Sequence, residues 1–151
     1  MPAPWLPAAT AILALVFSIG IRVLALASIA ASIGPFGAAL VLVAAEAVAR
    51  AALVRLWHDL PAARAGLSTE TGAPDQNAML IAIGGAAVIA TLLAVPTLGL
   101  WPALVAALFA GLATWGMVRL TARTFGGRTG DTLGACEQMA LVAFLIGAST
   151  V

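Results

Sequence analysis

Five apolar runs, each close to the length of a bilayer crossing, constrain the fold of this chain more than any other feature. They cover residues 8–31, 36–57, 78–95, 98–120 and 132–150. A transmembrane helix needs roughly 20 predominantly apolar residues. Within hydrocarbon the backbone must also satisfy its own N–H and C=O groups, which a helix does locally. Charged residues make up only 9% of the chain, against about 25% in a soluble domain. An all-α integral membrane protein is therefore expected, with about five transmembrane helices in a single membrane domain over residues 1–151.

The charges inside these runs are few and placed unevenly. No Lys or Arg precedes the first run, so it reads as a retained span and not as a signal peptide with a basic leader. Arg22 lies well inside it, four residues after Ser18 and on the same helical face. A cation at that depth is costly and should face protein or water with a partner. A break at residues 32–35 precedes the second run, which carries Glu46, Arg50 and Arg55. Glu46 and Arg50 are four apart and can pair along one face; a cross-helix pair of Glu46 with Arg22, at similar depth, competes. His58 beside Trp57 reads as an interfacial anchor, with a catalytic base as the rarer use.

The third and fourth runs carry small-residue stripes, Ala82, Ala86, Ala90 and Ala103, Ala107, Gly111, which permit close helix approach. They read as scaffold. The fifth run contains Glu137 and Gln138 near its start. The one cysteine, Cys136, excludes an internal disulfide and a multi-cysteine zinc site, and reads as a small packing residue.

Orientation follows from the arginines. Arg55 and Arg64 flank one loop, and Arg119, Arg123 and Arg128 another, with two spans between them. Both loops should lie on one side, which the positive-inside rule makes cytoplasmic. The expected topology is N-terminus inside and C-terminus outside, in a multi-pass cell (inner) membrane. Apart from the lipid bilayer, the composition narrows the partners: a net charge of +1 leaves no electrostatic footprint for nucleic acid.

Between the last two runs lies a polar hinge, Gly126-Gly127-Arg128-Thr129-Gly130-Asp131-Thr132-Leu133-Gly134-Ala135. Its glycines allow positive φ and close approach of a ligand to the backbone. Thr129 and Asp131 are good N-cap types for a helix starting near Thr132. Free N–H groups at that helix start favour an anion, and Arg128 offers a fork suited to phosphate. Asp131 is placed to hold a divalent cation. No Gly-Lys-Ser/Thr follows, so this is not a P-loop. The plain alternative is a tight interhelical turn whose Asp only caps. Arg50, roughly 12 Å from the inner end of its helix, and Glu137, roughly 8 Å inside its own, are placed to line one cytoplasm-facing cavity with Arg128 and Asp131.

The run GGRTGDTLGA resembles the C-terminal signature of the cobalamin synthase family, the adenosylcobinamide-GDP ribazoletransferases. The resemblance runs along nearly the whole chain but covers only the later part of a typical member. In the loop after the second run, Leu60, Pro61, Ala63, Arg64, Gly66 and Leu67 fit the family pattern, while Ala62 replaces an aromatic residue and Leu141 stands where a glutamate is usual. The resemblance implies that adenosylcobinamide-GDP is joined to α-ribazole or its 5′-phosphate, with release of GMP and dependence on Mg²⁺. It implies Asp131 as the metal residue and Asp131 and Arg128 as catalytic. Gly126, Gly127, Thr129, Gly130, Arg50 and Arg64 would bind substrate, with the active face cytoplasmic. The Gly/Asp-rich acidic cluster of the family's earlier half, similar to the metal site of membrane CDP-alcohol phosphotransferases, has no counterpart before Trp5. An incomplete enzyme needing an N-terminal half is therefore expected. A non-catalytic membrane module, such as a small transporter or assembly subunit, is the competing class.

Overall fold

A computed structural model of the chain describes residues 6–63 and 72–150, with side chains from residue 12 onward. The described residues form four helices: α1 (Leu6–Asp59), α2 (Gln76–Leu98), α3 (Leu100–Phe125) and α4 (Gly130–Ala148). All four are long and apolar enough to cross a membrane. The five apolar runs are all helical, but the first two form the arms of one element. Straight, the 54 residues of α1 would extend about 81 Å, far beyond a bilayer core of about 30 Å. A kink divides them at Gly34, whose φ of 81° and ψ of 164° leave the helical region, followed by Pro35. Boundaries elsewhere fall within a few residues of those expected. Pro96 is carried inside α2, within three residues of its end.

Alanine makes up most of the core. Ala38, Ala44, Ala45, Ala49 and Ala52 of α1 are buried together with Ala106 and Ala110 of α3 and Ala140 of α4. Small side chains let the helices approach closely, which matters where lipid offers little hydrophobic drive for association. Helices α3 and α4 come especially close at Gly147, where an added Cβ would sit 2.6 Å from Cα of Ala106. Ile29, Val41, Leu56, Leu141, Phe144 and Leu145 fill the remaining space. Helix α1 packs broadly against α2 and α4, and α3 mainly against α4. Helices α2 and α3 touch sparsely. They leave an apolar groove of about 540 Å³ between them and the second arm of α1, from Arg55 and Asp59 at one end to Leu100 at the other.

The end of the bundle that positions the polar residues is organised by loops. Trp57 Nε1 donates to the carbonyl of Gly72 (2.8 Å), and His58 Nδ1 donates to that of Pro74 (3.0 Å). His58 therefore fixes the chain entering α2. Asp75 then caps α2 by accepting from the Ala78 N–H. Arg55 is held to Asp59 one turn on, at 2.6 Å.

Candidate functional site

The hinge between α3 and α4 is docked against the loop that ends α1. Arg128 N–H donates to the carbonyl of Pro61 (2.7 Å), and Ala63 N–H donates to the carbonyl of Arg128 (3.0 Å). These bonds form an isolated parallel bridge between Ala62 and Arg128. The two arginine-bearing loops thus meet at one end of the bundle. Gly127 makes this possible. A Cβ there would lie 2.5 Å from the Pro61 carbonyl oxygen, closer than real Cβ atoms come, and 3.0 Å from the Ala63 nitrogen. The close approach expected of this glycine is thus made to the protein's own backbone.

Arg128 belongs to the same joint. It is buried, at 4% exposure, and its Nη1 donates to the carbonyl of Leu60. A guanidinium held in this way ties the loops together, and it is not presented as an open fork for phosphate. Sequence spacing gave no signal for this contact, because 68 residues separate the partners.

Helix α4 begins at Gly130, two residues earlier than expected. Thr129 is its N-cap, and a reciprocal capping box forms with Thr132. Thr129 Oγ1 accepts from the Thr132 N–H, and Thr132 Oγ1 accepts from the Thr129 N–H at 2.8 Å. Capping therefore falls to Thr129 and not to Asp131. Asp131 lies in the first turn of α4 and is exposed. It makes no hydrogen bond or ion pair among the described residues. A carboxylate there faces the positive end of the helix dipole and is open to a ligand. Gly126, in the left-handed region at φ 67°, ends α3, and Gly130 is exposed.

Deeper in the bundle Arg50 meets Glu137, with Nε to Oε1 at 2.9 Å. This overturns both pairings open to Glu46: Arg50 bonds across to α4, and no Glu46–Arg22 pair forms. The physical reason is packing, since α1 lies along α4 and brings Arg50 to Glu137, whose side chain is 15% exposed. The Arg50 side chain is 73% exposed and is fixed through Nε, so its terminal nitrogens point away from this bond. Arg22 has Nε and Nη2 buried without a hydrogen-bond partner among the described residues. Cys136 is buried beside the Ala52 carbonyl, a packing residue as expected. Leu141 is core. Arg64 lies outside the described residues.

The structure thus brings Arg128 to Leu60–Ala63 and Arg50 to Glu137, with Asp131 free at the start of α4. Among the described residues no group of three or more His, Cys, Asp or Glu side chains is close enough to hold a metal ion. By themselves these side chains do not fit a Mg²⁺ site.

Comparison with known proteins gives a consistent result. Residues 9–149 match the family model described as cobalamin-5-phosphate synthase. The adenosylcobinamide-GDP ribazoletransferase of Rhizobium etli (strain CIAT 652) is 40% identical over 139 residues, covering 91% of this chain and 54% of that protein. The enzyme of the same name from Azorhizobium caulinodans is 43% identical over 135 residues, covering 89% and 51%. That from a Sinorhizobium species is 42% identical over 141 residues, covering 89% and 52%. The chain spans about half the length of these curated relatives. No solved structure matches. With a family model matched along almost its entire length, the chain belongs to the cobalamin-5-phosphate synthase family.

Proposed function

We propose that this chain supplies the docked-loop half of an adenosylcobinamide-GDP ribazoletransferase, embedded in the cell (inner) membrane with its reactive end on the cytoplasmic face. Its substrates are adenosylcobinamide-GDP and α-ribazole or its 5′-phosphate, and GMP is released. The observation that carries this reading is the Thr129–Thr132 capping box. It relieves Asp131 of a capping role and leaves an open carboxylate in the stretch GGRTGDTLGA.

The reaction joins an incoming ribazole hydroxyl oxygen to phosphorus. The P–O bond to the guanylate breaks, GMP leaves with the electron pair, and the hydroxyl proton passes to solvent or a base. Negative charge grows on the phosphoryl oxygens, and fixed cations lower its energy. Arg50 suits this task, because Glu137 anchors one side of its guanidinium and leaves the terminal nitrogens exposed. Arg128 acts as a positioning residue that holds the hinge on the loop after α1, so the start of α4 with its free N–H groups stays aimed. Gly126, Gly127, Thr129 and Gly130 form the backbone of that hinge, and Arg64 is a second phosphate-binding candidate. Mg²⁺ is proposed as the cofactor, with Asp131 as one ligand and the remaining ligands from outside the described residues.

The test is GMP release from adenosylcobinamide-GDP and α-ribazole. It is measured with the chain alone and with the remaining part of the Rhizobium etli relative supplied by co-expression or fusion. No turnover alone and turnover when complemented is the expected result. The non-catalytic reading is favoured by the lack of a metal-ligand cluster among the described residues, and a folded, complemented pair without turnover would establish it.

A further inference from the structure

The first arm of α1 leaves the bundle uncovered. From residue 12 to residue 24 almost every large side chain is exposed, among them Leu15 and Ile19, which lie about 20° and 60° from Arg22 around the helix. Among the described side chains of the arm, Ala25 and Ile29 are the first that are buried. Arg22 lies on their side of the helix, one turn before Ala25, where packing stops.

Lipid chains can cover the apolar side chains of this arm, but they offer no anion to Arg22. From the start of α1 at Leu6 to Arg22 is about 24 Å along the helix, and from Arg22 to the kink at Gly34 about 18 Å. Both distances exceed the reach of an arginine side chain to lipid headgroups. Nε and Nη2 are also buried with no acceptor, so they do not extend towards water. Glu46 makes no ion pair with it. A soluble phosphate would have to enter hydrocarbon to arrive there, whereas a carboxylate carried on a membrane helix comes at the required depth.

We infer that the first arm of α1 is a docking face for a membrane helix that brings a carboxylate to Arg22, supplied by the part of the family's length lying outside this match. The relatives extend well beyond the matched stretch, so the family possesses further chain from which such a helix can come. This rests on the proposal that the chain works together with that part. The arm then serves as the seam between two halves of one membrane enzyme, with the Arg22 ion pair setting the register of the joint.

The experiment co-expresses the full chain with the remaining part of the Rhizobium etli relative and reads binding independently of catalysis. A photo-crosslinking amino acid is placed at Leu15 or Ile19, exposed on the Arg22 side of the arm, with Leu108, exposed on α3, as the control. Crosslinks to the supplied part from positions 15 and 19 but not 108 are expected. Arg22→Gln should lower co-purification at least tenfold and Arg22→Lys should preserve it, with both variants eluting as folded protein. The inference is overturned if positions 15 and 19 crosslink only to lipid or to a second copy of the chain, or if Arg22→Gln binds as well as the parent. Binding that depends on Arg22 without GMP release would refute the transferase reading alone. GMP release with binding indifferent to Arg22 would refute the docking inference alone.

Discussion

Replacing Gly127 by alanine should undo the joint between the two polar loops. The new methyl would lie 2.5 Å from the Pro61 carbonyl oxygen, 3.0 Å from the Ala63 nitrogen and 3.1 Å from the Ala63 Cα. All three neighbours are backbone atoms, so no side chain can swing aside and the strands of the bridge must part. Two backbone hydrogen bonds, at 2.7 and 3.0 Å, then weaken together. Each contributes about 0.5–1.5 kcal/mol net, so losing both costs about 2 kcal/mol, before any overpacking strain of about 1–3 kcal/mol. A cost of about 2 kcal/mol in a local opening equilibrium raises amide exchange roughly thirtyfold. The assay is hydrogen–deuterium exchange of the Ala63 and Arg128 amides in detergent micelles. Gly130→Ala is the control, since a Cβ there meets nothing within 4 Å, and it should leave both amides as protected as in the parent. Unchanged protection in Gly127→Ala would refute the claim that this glycine exists for backbone contact.

Asp131→Asn should cut GMP release by the complemented enzyme at least a hundredfold while shifting Tm by no more than about 2 °C, since Asp131 is not the cap; near-normal turnover would remove it from the site. Thr129→Ala should destabilise α4 by about 1 kcal/mol through loss of its cap, with Thr129→Ser restoring most of it, as read by thermal unfolding in detergent. In a Cys136→Ala background, Thr150→Cys should react with an impermeant maleimide added outside intact cells, whereas Ala73→Cys should react only after permeabilisation; the opposite pattern would invert the proposed topology.

The membrane fold was legible in the sequence because its determinants are local. Run length against bilayer thickness identifies the helices, and the Gly34-Pro35 step marks where α1 must bend. The same local logic found Thr129 as a cap type, although two candidates stood close together and only the backbone of the hinge chose between them. The arginine count in the loops foretold that they share an end of the bundle, because two crossings return the chain to its starting side.

What tertiary structure decided was the choice of partners. Arg50 has a carboxylate four residues before it, and a helix rule suggests that pair; the packing of α1 along α4 instead offers Glu137, 87 positions away. Arg128 carries the chemistry of a phosphate clamp in its side chain, but the fold buries it against a carbonyl on a distant loop. Gly127 announces that something must come close, and the sequence cannot say whether that is a ligand or the chain itself. Arg22 shows the converse, a charge whose need for a partner is evident from depth alone and whose partner no described residue supplies. Hydropathy and capping act over a few residues and can be read in order along the chain. Ion pairs and backbone docking are fixed by which helices lie side by side, and among alanine-rich helices of similar apolarity only the packed bundle determines that.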